Sequence, residues 1–322
     1  MKRDVSVIGP LNVDLLINGE GPPDWEGITS WDGPAAMQMT AAGSVGYTVQ
    51  DMARLGLQVS VCGCVPDDAL GAFITESLRR AGVAIEGVRM QPDTLAGIGV
   101  YMLLFGSRKR PLAYRLPTHE PWPLSFTPQE IDDLLSARLL HNGGYLHFKQ
   151  MYHGQTVDLF KEARKRGVIT SLDSQFPLHA MPLPWLPALE DILPYVDLMF
   201  CDEHEAKSLT GANQPVDAAS QLMSYGIEIL VIKCGSEGSD VFTQGGHFHQ
   251  PAIHLGELVD SIGAGDAYDA GFIYGTLQEW PPERSALFAS MAAGKTVTGV
   301  GGTTSMPAVD EIEELIKSMQ IE

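Results

Sequence analysis

Basic side chains are scarce in this chain of 322 residues: 21 Lys and Arg stand against 40 Asp and Glu, a net charge of −19. A surface that acidic repels phosphate backbones and anionic lipid, which argues against nucleic acid or a membrane as partner. It leaves room for a small basic pocket that takes a nucleotide. No apolar run approaches the roughly 18 residues that a membrane-spanning helix needs. The opening MKRDVSVIGP holds an apolar stretch too short for a secretory signal, and Val5–Ile8 reads instead as a strand. Cysteine is sparse: Cys62, Cys64, Cys201 and Cys234 offer no second pair at zinc spacing and read as free thiols, most of them buried, which fits a reducing cytoplasm. There is no G-x-x-x-x-G-K-[ST], so the chain is not a P-loop enzyme. The first strand lacks G-x-G-x-x-G, which weighs against a dinucleotide oxidoreductase. The histidines form no H-E-x-x-H; His247 and His249 alternate along an expected exposed strand, a poor metal site.

What is present is an alternation of strand and helix. Hydrophobic residues make up 44% of the chain, enough to bury a sizeable core. Continuous apolar runs at Val5–Ile8, Val59–Val65, Tyr145–Phe148, Val168–Leu172, Leu198–Phe200 and Ile229–Lys233 suit parallel strands covered on both faces. Helical periodicity falls between them. Val45, Val49 and Met52 share a face, as do Leu70, Ile74 and Leu78; Thr127-Pro128-Gln129-Glu130 has the form of a capping box with proline at N1. The expected architecture is α/β: a doubly wound, mainly parallel sheet with helices on both faces. Two segments break the rhythm. Residues 11–36 are rich in Gly, Pro and Trp with a short strand at Leu15–Ile17, and residues 94–117 read as a hairpin, Ile98–Phe105 and Leu112–Arg115 around a turn at Gly106–Arg110. They are expected to form a small β lid on an α/β body of residues 1–10, 37–93 and 118–322.

The most informative segment is Asp260-Ser261-Ile262-Gly263-Ala264-Gly265-Asp266, standing just before an apolar helix. Small residues let backbone N–H groups approach a ligand, and a helix N-terminus supplies unsatisfied donors and a positive dipole end. Asp266 in the first turn could take the proton of a hydroxyl attacking a phosphoryl group held there. A glycine turn followed by a helix-favouring aspartate explains an isolated GAGD equally well.

The surrounding motifs favour the chemical reading. The segment resembles the C-terminal signature of the ribokinase-like (PfkB) carbohydrate kinases, and further pieces follow in that family's order. Gly9-Pro10-Leu11-Asn12-Val13-Asp14 follows the first strand; Ala42-Gly43-Ser44 resembles the double-glycine turn; Gly63 through Gly71 resembles G-x-V-G-x-D-x-x-G. Asp202-Glu203-His204-Glu205 stands where the family has N-x-x-E, and Lys233-Cys234-Gly235-Ser236-Glu237-Gly238 resembles its nucleotide-binding turn; Gly301 through Pro307 resembles its closing segment.

The resemblance implies an ATP-dependent sugar kinase with Mg²⁺ as cofactor and a monovalent cation such as K⁺ as a further candidate. Asp266 would be the base, and the amides of Gly263, Ala264 and Gly265 the anion hole. Asn12, Asp14, Gly43 and Ser44 would face the sugar. Asp202, Lys233, Gly235, Gly238 and Gly265 would line the nucleotide, although Lys233 at a strand end could equally reach solvent. Glu205 would place Mg²⁺ through water, and Asp260 is the candidate for the monovalent cation. Leu112-Ala113-Tyr114-Arg115 resembles the tyrosine-arginine stretch of the family's 2-keto-3-deoxygluconate kinases, so Arg115, with Lys149 expected at a strand end, could read a sugar carboxylate; Lys149 paired with an acid and Arg115 in solvent is the bland alternative. Tyr101, Phe105, Trp25 and Trp31 could form an aromatic slot for a nucleobase, making a nucleoside kinase, or could be lid core. The chain departs from the family pattern at Ala42, Tyr47, Asp202 and Lys149, which keeps open a sugar-binding protein without turnover. Lid strands present edges, which allows a homodimer through the lid.

Overall fold

Strands buried on both faces need unbroken apolar runs, because successive side chains point into opposite layers. The computed structural model describes residues 3–104, 112–115 and 125–319, with the backbone alone at 112, 113 and 115. In it β1 (Val5–Ile8) sends Val5 and Val7 into one core and Ile8 into the other.

The chain continues through β2 (Asn12–Asn18), β3 (Ala36–Ala42), α1 (Gly43–Arg54), β4 (Val59–Pro66), α2 (Ala69–Arg80), β5 (Ala84–Gln91), β6 (Ile98–Leu103) and β7 (Leu112–Arg115). Then come α3 (Pro128–Leu134), β8 (Leu139–Asn142), α4 (Gly154–Lys165), β9 (Ile169–Asp173), β10 (Leu198–Asp202), α5 (Glu203–Thr210), α6 (Pro215–Met223) and β11 (Ile229–Lys233). The last elements are β12 (Gly238–Thr243), β13 (Gly246–Pro251), α7 (Ala264–Leu277), α8 (Pro282–Thr296) and α9 (Val309–Met319).

Nine strands form one sheet in the order β13-β12-β11-β10-β9-β8-β1-β4-β5. It is parallel from β11 to β5, with an antiparallel pair, β12 and β13, at one edge. One face is covered by α1, α2, α7, α8 and α9 through Val49, Ile74, Phe272, Phe288 and Ile312. The other is covered by α3 to α6 through Leu134, Phe160, Leu209 and Leu222. The chain leaves β1 for β4 on one side and later builds β8 on the other, so the crevice beyond the C-terminal ends of β1 and β8 is a switch point of the kind where open α/β sheets bind ligands.

A second sheet of four strands, β3-β2-β6-β7, stands over that crevice, because β2 begins four residues after β1 ends. Leu16, Ala42, Tyr47 and Ile262 form its small core, which ties it to α1 and to the loop before α7. β3 runs to Ala42, so residues 37–42, expected in the α/β body, lie in this smaller sheet. β3 is also an edge strand, with Met37 and Met39 exposed.

Local signals hold at the helix starts. Asp68 caps α2 by accepting from Leu70 N and Gly71 N, and Thr127 with Glu130 closes the capping box of α3. One strand was expected in the wrong place. Tyr145–Phe148 is not a strand: Tyr145–His147 forms a 3-10 turn, and the strand is β8, six residues earlier. Gly143 and Gly144 end that strand, and Gly144 is left-handed at φ +68, which turns the chain before Tyr145. The four cysteines are free thiols, three of them buried. Among the described residues no helix is long and apolar enough to cross a membrane.

Candidate active site

The loop into α7 is shaped by a buried aspartate. Asp260 accepts from Ile262 N at 3.0 Å and from Gly301 N at 3.1 Å, which ties two distant loops together. Gly263 follows with φ +74, and a Cβ there would lie 2.5 Å from Gly302 Cα. The 14-residue helix α7 therefore starts pressed against residues 301–302, with no side chain capping it. A helix start leaves first-turn N–H groups short of intrahelical acceptors, the donor set that an anion needs, and here Ala264 N makes a long bond of 3.4 Å to Ser261 O.

Asp266 sits in that first turn. It accepts from Thr48 Oγ1 of α1 at 3.2 Å and, more loosely, from Gln175 Nε2 at 3.4 Å. Part of its surface stays open to the crevice, but protein surrounds the carboxyl, and its pKa is pushed up to about 7. Burial is the main cause, opposed by the Lys233 cation and by Thr48, and reinforced by Asp173 and Asp14.

Across the crevice β2 presents Asn12 and Asp14. Tyr47 OH donates to Asp14 Oδ2 at 2.8 Å, and burial lifts the Asp14 carboxyl to about 6. Tyr47, a departure from the family pattern, thus anchors one of the expected substrate contacts. Asn12 Nδ2 donates to Tyr114 OH at 2.8 Å, while Asn12 Oδ1 is buried without a partner. Gly43 opens α1 at φ +84, where a Cβ would lie 2.8 Å from Pro10 O, so it lets β2 and α1 touch backbone to backbone. Ser44 Oγ is also buried without a partner, as is His147 Nδ1, and both border Gly144. His147 carried no signal in the sequence reading because its turn was taken for a strand.

On the far side Asp202 and Glu205 form the capping box of α5. Glu205 Oε2 accepts from Ser174 Oγ at 3.2 Å and from Asp202 N at 2.9 Å. Burial, with Asp173 and Asp202 adding, pushes Glu205 up to about 8. Lys233 keeps 16% of its side chain exposed, and its Nζ lies 3.0 Å from Asp269 Oδ1 and 3.4 Å from Asp173 Oδ2. Gly235 opens a 3-10 turn, and Gly238 begins β12 against Gln250 and Ala252. Asp173, Gln175, Thr48 and Asp269 were all missed in sequence, since none of them stands in a recognisable motif.

Other expected contacts are not brought together. With the strand displaced to β8, Lys149 opens a surface turn and is exposed, away from any strand end. Arg115 lies on β7 opposite Ile98, but its side chain is outside the described residues, as are Phe105 and the turn at 106–110. Trp25 is 81% exposed, and the half-buried Trp31 donates through Nε1 to Glu20 O. Tyr101 packs beside Leu16 in the small sheet. His247 and His249 both bond Asp240 Oδ1, and no group of three metal-ligating side chains occurs among the described residues.

The sequence profile of the pfkB family carbohydrate kinases matches residues 2–309. The chain is 27% identical to a 5-dehydro-2-deoxygluconokinase of Geobacillus thermodenitrificans, over 98% of this chain and 94% of that protein. It is 30% identical to a 2-dehydro-3-deoxygluconokinase of Thermoproteus tenax, over 82% of this chain and 81% of the other. Among solved structures, Arabidopsis thaliana ribokinase complexed with ribose and ATP superposes with a TM-score of 0.80 at 24% identity, covering 98% of this chain and 99% of that one. A putative ribokinase II from E. coli in complex with ATP and Mg²⁺ gives 0.81 at 20% identity, with 98% and 99% covered. At such identities the structural likeness is one of fold.

Proposed function

Since the chain belongs to the pfkB family of carbohydrate kinases, we propose that it passes the γ-phosphoryl of ATP to a hydroxyl of a sugar acid, with Asp266 as the base. The observation that carries this reading is a carboxylate enclosed by protein in the first turn of α7, a helix start with no side-chain cap. The substrate hydroxyl attacks the γ-phosphorus, its proton passes to Asp266, and the bond from phosphorus to the bridging oxygen of ADP breaks. The amides of Gly263, Ala264 and Gly265 receive the charge on the equatorial oxygens. Asn12, Asp14, Gly43 and Ser44 hold the sugar, whose hydroxyls suit the unpartnered Asn12 Oδ1 and Ser44 Oγ. Gly235 and Gly238 bound the nucleotide, and the smaller sheet acts as a lid that excludes water as a competing acceptor.

Mg²⁺ fits beside Glu205 through water: both bonds of that carboxylate use Oε2, which leaves Oε1 toward a hydrated ion. When bound, Mg²⁺ would neutralise the charge of the β- and γ-phosphates. Asp260 stays the candidate for a monovalent cation: each of its oxygens accepts one backbone N–H, which leaves a lone pair on each for an ion.

The sugar-acid assignment is supported by the two curated relatives, both named as kinases of dehydrodeoxygluconates. The test is ADP release over a panel of 5-dehydro-2-deoxygluconate, 2-dehydro-3-deoxygluconate, ribose and adenosine. Preference for either acid supports the reading; preference for adenosine or ribose overturns the substrate class.

Two further outcomes follow from the geometry. Asp266 must be ionised to take a proton, and its pKa is raised to about 7. Activity is therefore expected to fall as pH drops through about 7 and to level off above it. A pH profile of kcat/KM that is flat from pH 5 to 8 would contradict this. Tyr47→Phe removes the donor that favours ionised Asp14. A hydrogen bond to a charged group is worth about 1.5–3 kcal/mol, so KM for the sugar is expected to rise about tenfold or more, with KM for ATP unmoved. An unchanged sugar KM in steady-state kinetics would take Asp14 out of substrate binding.

A further inference from the structure

Lys233 is a strand-end lysine that the fold has drawn inside. Its Nζ lies 3.0 and 3.1 Å from the two oxygens of Asp269 and 3.4 Å from Asp173 Oδ2, and the two carboxylates are almost fully buried. A cation there needs a counter-charge, but two full negative charges would overshoot it. Asp173 Oδ1 is buried with no N–H or O–H partner, and the Asp173 carboxyl adjoins that of Asp269. A proton held between the two carboxyl groups would satisfy that oxygen.

The cluster sits under the catalytic turn. Lys233 Nζ lies 3.5 Å from where a Cβ of Gly265 would be, beside the backbone that leads into Asp266. Asp269 is on the same helix, one turn beyond Asp266. Gln175 links the two halves: its Nε2 donates to Asp173 Oδ2 at 3.1 Å and to Asp266 Oδ1 at 3.4 Å. It does so from a left-handed backbone, φ +48, which a residue with a side chain adopts at a cost and which gathers at functional sites.

We propose that Lys233 serves the base and not the nucleotide: clamped by Asp173 and Asp269 beneath the first turn of α7, it is the fixed cation that keeps Asp266 ionised, with Gln175 bridging the cluster to the base. The groups that face Asp266 agree with that need. α1 brings Thr48, Tyr47 and the buried Asp51; β2 brings Asp14; the end of β9 brings Asp173 and Gln175; α7 itself brings Asp269. Each titratable group in that set is acidic, and among the described residues that face the base the opposing cation is Lys233. Without it, a carboxyl among so many acids would hold its proton at neutral pH and could not act as a base. Lys233, Asp173, Asp269 and Gln175 are thus positioning residues.

This inference rests on Asp266 being the base, which Asp266→Asn tests separately. The closing experiment is the pH profile of kcat/KM for Lys233→Met, with KM for ATP measured at the plateau. An opposite charge within about 4–6 Å shifts a carboxyl by about one to three pH units. The acid limb is expected to move up by at least about one unit, with KM for ATP changed less than about threefold. Because Lys233→Met leaves two buried carboxyl groups together, the double variant Lys233→Met with Asp269→Asn is measured alongside, and Lys233→Arg is expected to keep the limb near its original place. A rise of KM for ATP by more than about tenfold with the limb unmoved, in whichever variant folds by thermal unfolding, would make Lys233 a phosphate ligand and overturn the proposal. Loss of folding in both neutral variants while Lys233→Arg moves the limb as far as expected for charge loss would also overturn it.

Discussion

Asp266→Asn is expected to lower kcat by at least about 10²-fold, the low end of what a general base contributes, while KM for ATP changes little. The side chain keeps its size and can still meet Thr48 Oγ1, so the first turn of α7 should keep its shape. What disappears is the ability to accept a proton from the attacking hydroxyl. The amide also carries no charge, so the residual rate should lose the acid limb near pH 7. Steady-state kinetics on the purified variant, with its melting temperature as a control for folding, decides the matter. Turnover near that of the wild type would remove Asp266 from the role of base.

The second large effect is expected at Gly263. Its left-handed φ of +74 is open to glycine at no cost, and a side chain there would meet Gly302 at 2.5 Å from Cα and 2.9 Å from the carbonyl oxygen. Gly302 cannot yield easily, because Asp260 pins the neighbouring Gly301 N at 3.1 Å. Gly263→Val must therefore tilt the start of α7 and move the N–H groups proposed as the anion hole. Losing one such donor costs about 10²–10³-fold in kcat in an acyl-transfer oxyanion hole, and a similar loss is expected here. The discriminating readout is the ratio of kcat between Gly263→Val and Gly56→Val. Gly56 also has a positive φ, +82, but an open space around its Cβ position, so it carries the backbone strain without the displacement of α7. Equal losses in the two variants would mean that strain alone, and not the anion hole, explains the effect.

Much of this arrangement could be read from residue order. Apolar runs located β1, β4, β9, β10 and β11, and capping chemistry at Thr127 located the start of α3. These signals are local, and local signals survive folding when tertiary packing agrees with them. Where they failed, a competing term won. Tyr145–Phe148 has the composition of a strand, but Gly143 and Gly144 end β8 before it, and the apolar side chains of Tyr145 and Leu146 are buried from a 3-10 turn instead. Placing that strand wrongly put Lys149 at a strand end, where the structure has an exposed 3-10 turn, and hid His147. The family motif marked Asp266, Asp14 and Gly263, yet not what surrounds them. Thr48, Asp173, Gln175 and Asp269 come from three separate parts of the chain, and only the register of β9 with β10 and the packing of α7 on α1 bring them together. A lone aspartate in a strand has no sequence signal that separates a solvent contact from a buried ion pair.

The most direct test of the account is a single-turnover experiment with enzyme in excess over γ-³²P-labelled ATP and with 5-dehydro-2-deoxygluconate as acceptor, wild type against Asp266→Asn. The wild type is expected to move the label onto the sugar acid as a phosphate monoester, and the variant to leave it on ATP although both ligands still bind. Label released as inorganic phosphate with the sugar unmodified, or equal transfer by both proteins, would contradict a hydroxyl-directed kinase that uses Asp266 as its base.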